Sequence, residues 1–333
     1  MSEISKTFIR NGFFRAIIET VTLLSGVLLV MLLARWLGPD GYGRLSFAFA
    51  FMALFAAGIG LGFPLIFVRE GAKRMDFLHE KAATGLALQG IMSLGLFIVL
   101  VLIIMVSPSL RQDTTLLVLA FIYTMLTVIT GFFCSFFQAV QKMHIEAVAI
   151  VIKNILIFII VFILLSLKKT AEAALYGYVL ASILSIFITA ILVRKYLFAW
   201  KWVVDWQAGR MLLAQSWPLL GSAIFTSIYI SLDSIMLHFL QDDKMVGIYS
   251  AQYRIVFVVY VFFGWYMQSI FPIFSNLFTT AREQFKCLLE ASIQHMAAFA
   301  YLFGLIMIFF AYHIVHFFYG EMYFEGIFIL KIW

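Results

Sequence analysis

The residues able to do chemistry in this chain are few, and most lie inside long apolar runs. Asp233 is the clearest case, because a carboxylate near the middle of a membrane helix costs about 2.5–3.5 kcal/mol on insertion scales. Ser222, Thr226, Tyr229 and Asp233 follow one another at helical spacing and share one face. Ser227, Ser231, Ser234 and His238 form the adjacent stripe. In the next run Arg254 follows Tyr253, and Gln268 returns to the face of Arg254 about four turns later. The first run carries Glu19, Thr22 and Gly26, the fourth carries Thr124, Thr127, Gly131 and Gln138, and the fifth carries Lys153 and Asn154. The set Glu19, Gln138, Lys153, Tyr229, Asp233, Arg254 and Gln268 has the makings of a hydrated cavity for a substrate or an ion. Its opposite charges, Glu19 and Asp233 against Lys153 and Arg254, can pair or can bind a charged headgroup. The Ser and Thr residues have a second use, since their hydroxyls can bond the backbone one turn back.

Reaction chemistry is missing from the same inventory. There is no Gly-rich phosphate loop with its Lys and no nucleophile elbow. Asp242 and Asp243 are adjacent but fall in a short turn, not in a loop able to hold a metal and a sugar nucleotide. His313 and His316 lie one turn apart without a carboxylate or Cys to complete a metal set, and the two Cys, Cys134 and Cys287, have no metal or disulfide spacing. No catalytic residue, metal or cofactor is expected.

The elements that must position these residues are membrane spans. Apolar residues make up 64% of the 333 residues and charged residues 12%, where a soluble domain is about half apolar and a quarter charged. About 20 helical residues cross a hydrocarbon core of about 30 Å. Nine runs of that size stand between charged breaks, at 16–34, 45–68, 83–106, 115–137, 147–167, 174–193, 216–239, 246–271 and 291–318. A tenth begins at Gly326 and is cut short at Trp333, which reads as a C-terminal truncation. Within the second run Gly58, Gly60 and Gly62 precede Pro64, a place for a kink, a hinge or a packing notch. The fold class is therefore an all-α polytopic helical bundle.

Fifteen Lys and Arg fall on the N-terminal side of the spans and seven on the other, so the positive-inside rule puts the N-terminus in the cytoplasm. The net charge of +6 is carried by short loops, without a basic stretch interleaved with aromatics, and points to lipid headgroups and not to nucleic acid. The opening MSEISKTFIRNGFFR has no signal-peptide pattern. The break from Arg194 to Arg210 is rich in aromatics (Tyr196, Phe198, Trp200, Trp202 and Trp206) that anchor at headgroup depth. This divides the chain into an N-terminal lobe of six spans (1–193), an interfacial cytoplasmic linker (194–213) and an incomplete C-terminal lobe of three spans plus the start of a fourth (214–333).

Two patches carry a family resemblance. ARWLGPDGYG at 34–43, continuing into RLSFAFAFMALFAAGIGLGFPLIFVRE, resembles the N-terminal pattern of the polysaccharide-biosynthesis or Wzx-type oligosaccharide-lipid flippases, which share a superfamily with the MATE-type multidrug exporters. SWPLLGSAIFTSIYISLDSIMLHFLQDDKMVGIYSAQYRI at 216–255 and FPIFS at 271–275 resemble that family's seventh and eighth spans. The pattern departs at Gly58, where members often carry an acidic residue. The resemblance implies a two-lobe transporter in a bacterial or archaeal cytoplasmic membrane. It would flip an undecaprenyl-pyrophosphate-linked oligosaccharide from the inner to the outer leaflet by alternating access. Arg254 and Lys153 would then meet the pyrophosphate, while Asp233 or Glu19 would pair with those cations or carry a proton. The partners implied are the lipid-linked oligosaccharide, membrane lipids, and polysaccharide polymerases or glycosyltransferases. A cation-coupled multidrug exporter of the same superfamily, a membrane enzyme acting on lipid-linked sugars, and a non-transporting scaffold stay open as alternatives.

Overall fold

The computed structural model describes residues 3–199 and 202–332, with side chains from residue 11 onward except at 268 and 272. Among the described residues there is no strand, and eight helices are long and apolar enough to cross a membrane. The first of these, α1 (Glu3–Gly60), is itself two spans: it breaks at Gly38, whose φ of 70° favours glycine, and Pro39 follows. Neighbouring contacts show that the chain reverses there. Phe14 lies against His144 and Trp36 against Phe162, so the first half runs parallel to α6 (Met143–Leu167). The second half runs parallel to α5 (Thr114–Ala139), with Arg44 bound to Asp113 at one end and Gly60 beside Val128 farther along. Since α5 and α6 are antiparallel neighbours, the two halves of α1 are antiparallel too, and counting them separately the candidate crossings among the described residues number nine.

The second span ends earlier than the apolar run predicts. Leu61 and Gly62 both adopt positive φ, 53° and 66°, and the chain restarts as α2 (Phe63–Lys73). Pro64 therefore does not kink a continuous helix. It lies in the first turn of α2, where its missing N–H costs nothing. Then come α3 (Met75–Val106), a single turn α4 (Pro108–Arg111), α5, α6 and α7 (Ala171–Tyr196). Thr170 accepts from the Ala173 N–H at 3.3 Å and starts α7. Phe67, Phe132 and Phe136 interlock at the turn end of this group, with Phe67 and Phe132 edge to face at 4.7 Å.

The linker is shorter than its composition suggests. Helix α8 (Trp206–Leu240) already begins at Trp206, so residues 206–213 are its first turns and not part of a linker. Trp202 is exposed, as expected for an interfacial anchor, while Trp200 lies outside the described residues. Asp205 sets the start of α8. One carboxylate oxygen accepts from the N–H groups of Gln207 (3.0 Å) and Ala208 (3.1 Å), and the other from Lys81 at 2.8 Å. The Lys81 ammonium, and then these N–H groups, hold its carboxyl below the usual aspartate range. A depressed pKa gives stability that is present above the unfolded value of about 3.9 and is lost as pH falls through the folded one. Asp205→Asn is therefore expected to melt modestly below wild type at pH 7 and to converge with it only as pH falls through the lowered Asp205 pKa, beneath the usual aspartate range, in detergent melts. A gap that persists at low pH would show that charge is not the cause.

Two further long helices, α9 (Asp243–Thr280) and α10 (Arg282–Phe318), run past the expected spans 246–271 and 291–318 into polar turns. A 3₁₀ turn (Glu321–Gly326) and α11 (Ile327–Ile332) complete the described chain. Asp242 caps α9 by accepting from the Met245 N–H at 2.8 Å.

Candidate functional site between the two helix groups

Helices α1 and α9 cross at the reversal end of α1, and there the backbones touch. A Cβ on Gly43 would stand 1.7 Å from the Asp243 carbonyl oxygen, and one on Gly247 2.0 Å from that of Pro39. Only glycine permits that approach. The contact is reinforced around it. Arg35 donates to the carbonyls of Phe317 and Phe318 at the end of α10, and the Tyr323 hydroxyl donates to the Ala34 carbonyl at 3.1 Å. Phe47 stacks on His238 at 3.6 Å, and His238 pairs with Asp243 at 2.6 Å. Arg44 ties α1 to Asp113 and, at 3.1 Å, to Glu172. Residues of both patches of the family resemblance, Gly43 of 34–43 and Gly247 of 216–255, therefore meet in one sealed junction.

At the opposite end α8 still touches the first group, through Lys81–Asp205, through Arg69 donating to Gln215 at 3.4 Å, and where Gly62 admits Leu219. Beside α8, however, α1 and α9 part. A cavity of about 540 Å³ opens between them, lined by Arg15, Glu19 and Thr22 of α1, Ile150 of α6, and Arg254, Phe257, Tyr260 and Trp265 of α9. Arg254 lies at its inner limit. The guanidinium occupies the space that a side chain at Gly26 would fill, since a Cβ there would be 2.2 Å from it. Among the described residues Arg254 forms no ion pair, and its Nε is buried without a hydrogen-bond partner. A buried donor on a permanent cation carries a desolvation penalty that an anion would relieve.

The structure brings some of the expected site residues together and separates others. Glu19 and Arg254 share the cavity, with Glu19 bonded to Arg15 at 2.8 Å one turn earlier on its own helix. Among the described residues Asp233 does not pair with a cation. One oxygen accepts from the Tyr249 hydroxyl and the other from the Ser234 N–H, where α8 and α9 converge. Tyr229 is 87% exposed on α8, near Tyr253. Lys153 has no ion pair among the described residues and lies near Cys134 in the first helix group. Gln138 is turned away from the cavity and donates to Glu146 at 2.7 Å. The side chain of Gln268 lies outside the described residues. Of the two uses expected for these charges, mutual pairing or binding a headgroup, the pairing of Glu19 and Asp233 with Lys153 and Arg254 is not formed among the described residues, and Glu19 bonds Arg15 while Asp233 bonds Tyr249. Thr226 bonds the Ser222 carbonyl of its own helix at 2.8 Å, and Asn154 reaches Thr22 of α1 at 3.3 Å.

Two features escaped the sequence. Glu146 is only 2% exposed, and its Oε2 has no hydrogen-bond partner. It stands just before the apolar run at 147–167 and so reads as a loop residue. Phe257, Tyr260 and Trp265 form the α9 wall of the cavity, but in a chain with 37 Phe an aromatic stripe does not stand out.

Comparison with known proteins agrees with this architecture. The family model described as polysaccharide biosynthesis protein matches residues 8–278. Among solved structures, a crystal structure of a mutant of the Vibrio cholerae MATE transporter VcmN is similar, with a TM-score of 0.58 and 15% identity over 97% of this chain and 79% of that one. At that identity the likeness carries the fold. No curated protein sequence matches the chain. The family match covers the Gly43–Gly247 contact and every residue of the cavity wall, and on that ground the chain belongs to the polysaccharide biosynthesis protein family.

Proposed function

We propose that this protein flips a polyprenyl-pyrophosphate-linked oligosaccharide, undecaprenyl being the carrier implied, from the inner to the outer leaflet of a bacterial or archaeal cytoplasmic membrane. The observation that carries the reading is Arg254: a guanidinium in the wall of a cavity it shares with the half-exposed Arg15, with no ion pair among the described residues and a buried Nε that has no hydrogen-bond partner. A diphosphate suits that position, since Arg binds phosphate oxygens through two parallel donors. With the N-terminus in the cytoplasm, as the loop charges favour, the cavity faces the inner leaflet and the Gly43–Gly247 junction closes the outer side. That is one of the two states alternating access requires. The headgroup crosses as the junction parts and the opposite end closes, while the isoprenoid tail stays in lipid. Polymerases or glycosyltransferases would supply the substrate and consume the product.

The test uses purified protein in vesicles carrying a fluorescent polyprenyl-pyrophosphate oligosaccharide, with a membrane-impermeant quencher added outside. Protein-dependent exchange between leaflets is the expected result. Vesicles that leave this lipid in place but move a cationic dye would replace the proposal with the drug-exporter reading.

A further inference from the structure

Helix α9 carries a row of rings that the transport of a diphosphate does not by itself require. Tyr249, Tyr253, Phe257 and Tyr260 recur at spacings of four, four and three, so they share one helical face. Successive rings lie next to one another along the helix, two pairs stacked and the middle pair tilted. Tyr249 and Tyr253 are 6.1 Å apart at 16°, Tyr253 and Phe257 are 6.1 Å apart at 38°, and Phe257 and Tyr260 are 6.0 Å apart at 28°. The row begins in the cavity wall, where Phe257 and Tyr260 stand, and climbs along α9 to the Asp233 carboxylate, which holds the Tyr249 hydroxyl. Tyr260 is 70% exposed and the other three are partly exposed.

We propose that this row is the surface on which the sugar chain of the substrate lies during transport. The inference rests on the function proposed above and names a subsite for it. A pyranose ring presents C–H groups on its faces and hydroxyls around its edge. An aromatic face, negative at its centre, takes the C–H groups, while phenol hydroxyls and a carboxylate take the edge. Three of the four rings carry a hydroxyl, and a carboxylate stands at the upper end, polar groups an acyl chain would leave unused. Continuity with Arg254 fixes the occupant. Arg254 lies between Tyr253 and Phe257 in sequence, and its guanidinium is 5.8 Å from the Phe257 ring centre. A diphosphate held there leaves the attached sugars against the row. Tyrosine is suited to this task because it offers a large rigid face with little side-chain entropy to lose.

The experiment compares two probes in the same vesicles: a fluorescent polyprenyl pyrophosphate bearing one N-acetylhexosamine, and the same carrier bearing a tetrasaccharide. Replacing the rings by an apolar residue of similar reach, Tyr253→Leu with Phe257→Leu, is expected to lower the ratio of tetrasaccharide to monosaccharide rates by roughly tenfold. Keeping the rings, Tyr253→Trp with Phe257→Tyr, is expected to restore that ratio. A ratio that stays within about twofold of wild type, whatever happens to the two rates themselves, overturns the subsite while leaving the flippase reading in place. A wild-type protein that moves neither probe overturns both.

Discussion

Replacing Arg254 with Leu will slow transport of the lipid-linked oligosaccharide by roughly 10- to 100-fold, because a charge-assisted hydrogen bond to a phosphate is worth about 1.5–3 kcal/mol. The same change will raise the temperature at which the protein unfolds in detergent. The two effects have opposite signs for one physical reason. The guanidinium sits between α1 and α9 with no counter-ion among the described residues and with a buried, unpartnered Nε. In the resting protein it is a cost, of the order of 2.5–3.5 kcal/mol on insertion scales for an ionised side chain at mid-membrane. The Phe257 ring at 5.8 Å offsets part of that cost, and an anion in the cavity would offset more. Arg254→Lys keeps the charge but loses the planar fork, and an intermediate rate is expected. If Arg254 were part of a structural ion pair, its removal would leave a buried partner charge and lower stability by about 3–5 kcal/mol. Melting curves with and without substrate therefore separate the two cases, and a variant that unfolds earlier while transporting normally would remove Arg254 from the mechanism.

The second large effect is expected at the sealed junction. Gly247→Val places branched carbon where the Pro39 carbonyl already stands, at 2.0 Å from the first added atom. Overpacking of this kind costs about 1–3 kcal/mol when the neighbours can shift. Here the neighbours are backbone on both sides, so the strain is relieved by separating α1 from α9. A bias of that size shifts a two-state equilibrium by roughly 5- to 150-fold, and transport is expected to fall at least tenfold because the closed junction is an obligatory state. Accessibility provides the independent readout. Ala251 is fully buried behind the junction and Cys287 is exposed at the other end. In a Cys287→Ser background, an Ala251→Cys variant is expected to resist a membrane-impermeant thiol reagent, and to react once Gly247→Val is added. Normal transport with an unreactive thiol would show that the glycine contact plays no part in gating.

The spans were legible because the physics behind them is one-dimensional. A run of about 20 apolar residues has few other uses, and the nine crossings follow from run lengths alone. Helical spacing also put Tyr229 and Asp233 on one face of α8, but spacing says nothing about the helix opposite. Asp233 meets Tyr249, and Gln138 meets Glu146, through pairings that depend on how helices cross. The patches at 34–43 and 216–255 were visible as a resemblance, while their mutual contact was not, because close approach is a property of two segments together. Arg254 and Glu19 were both found, since ionised residues inside apolar runs are conspicuous. The ring row on α9 was hidden by the abundance of Phe, and Glu146 by its place one residue outside an apolar run.

The reversal at Gly38 has a consequence for anyone mapping the surface of this protein. Helix resumes immediately on either side of the break, with Pro39 next to it and Ala34 and Gly43 already held by other helices. A protease needs several residues of extended, mobile chain to draw into its active site, and this corner has none to offer. Limited digestion from that side will pass it by, and an epitope tag inserted there will pry open the junction before any antibody can report on it.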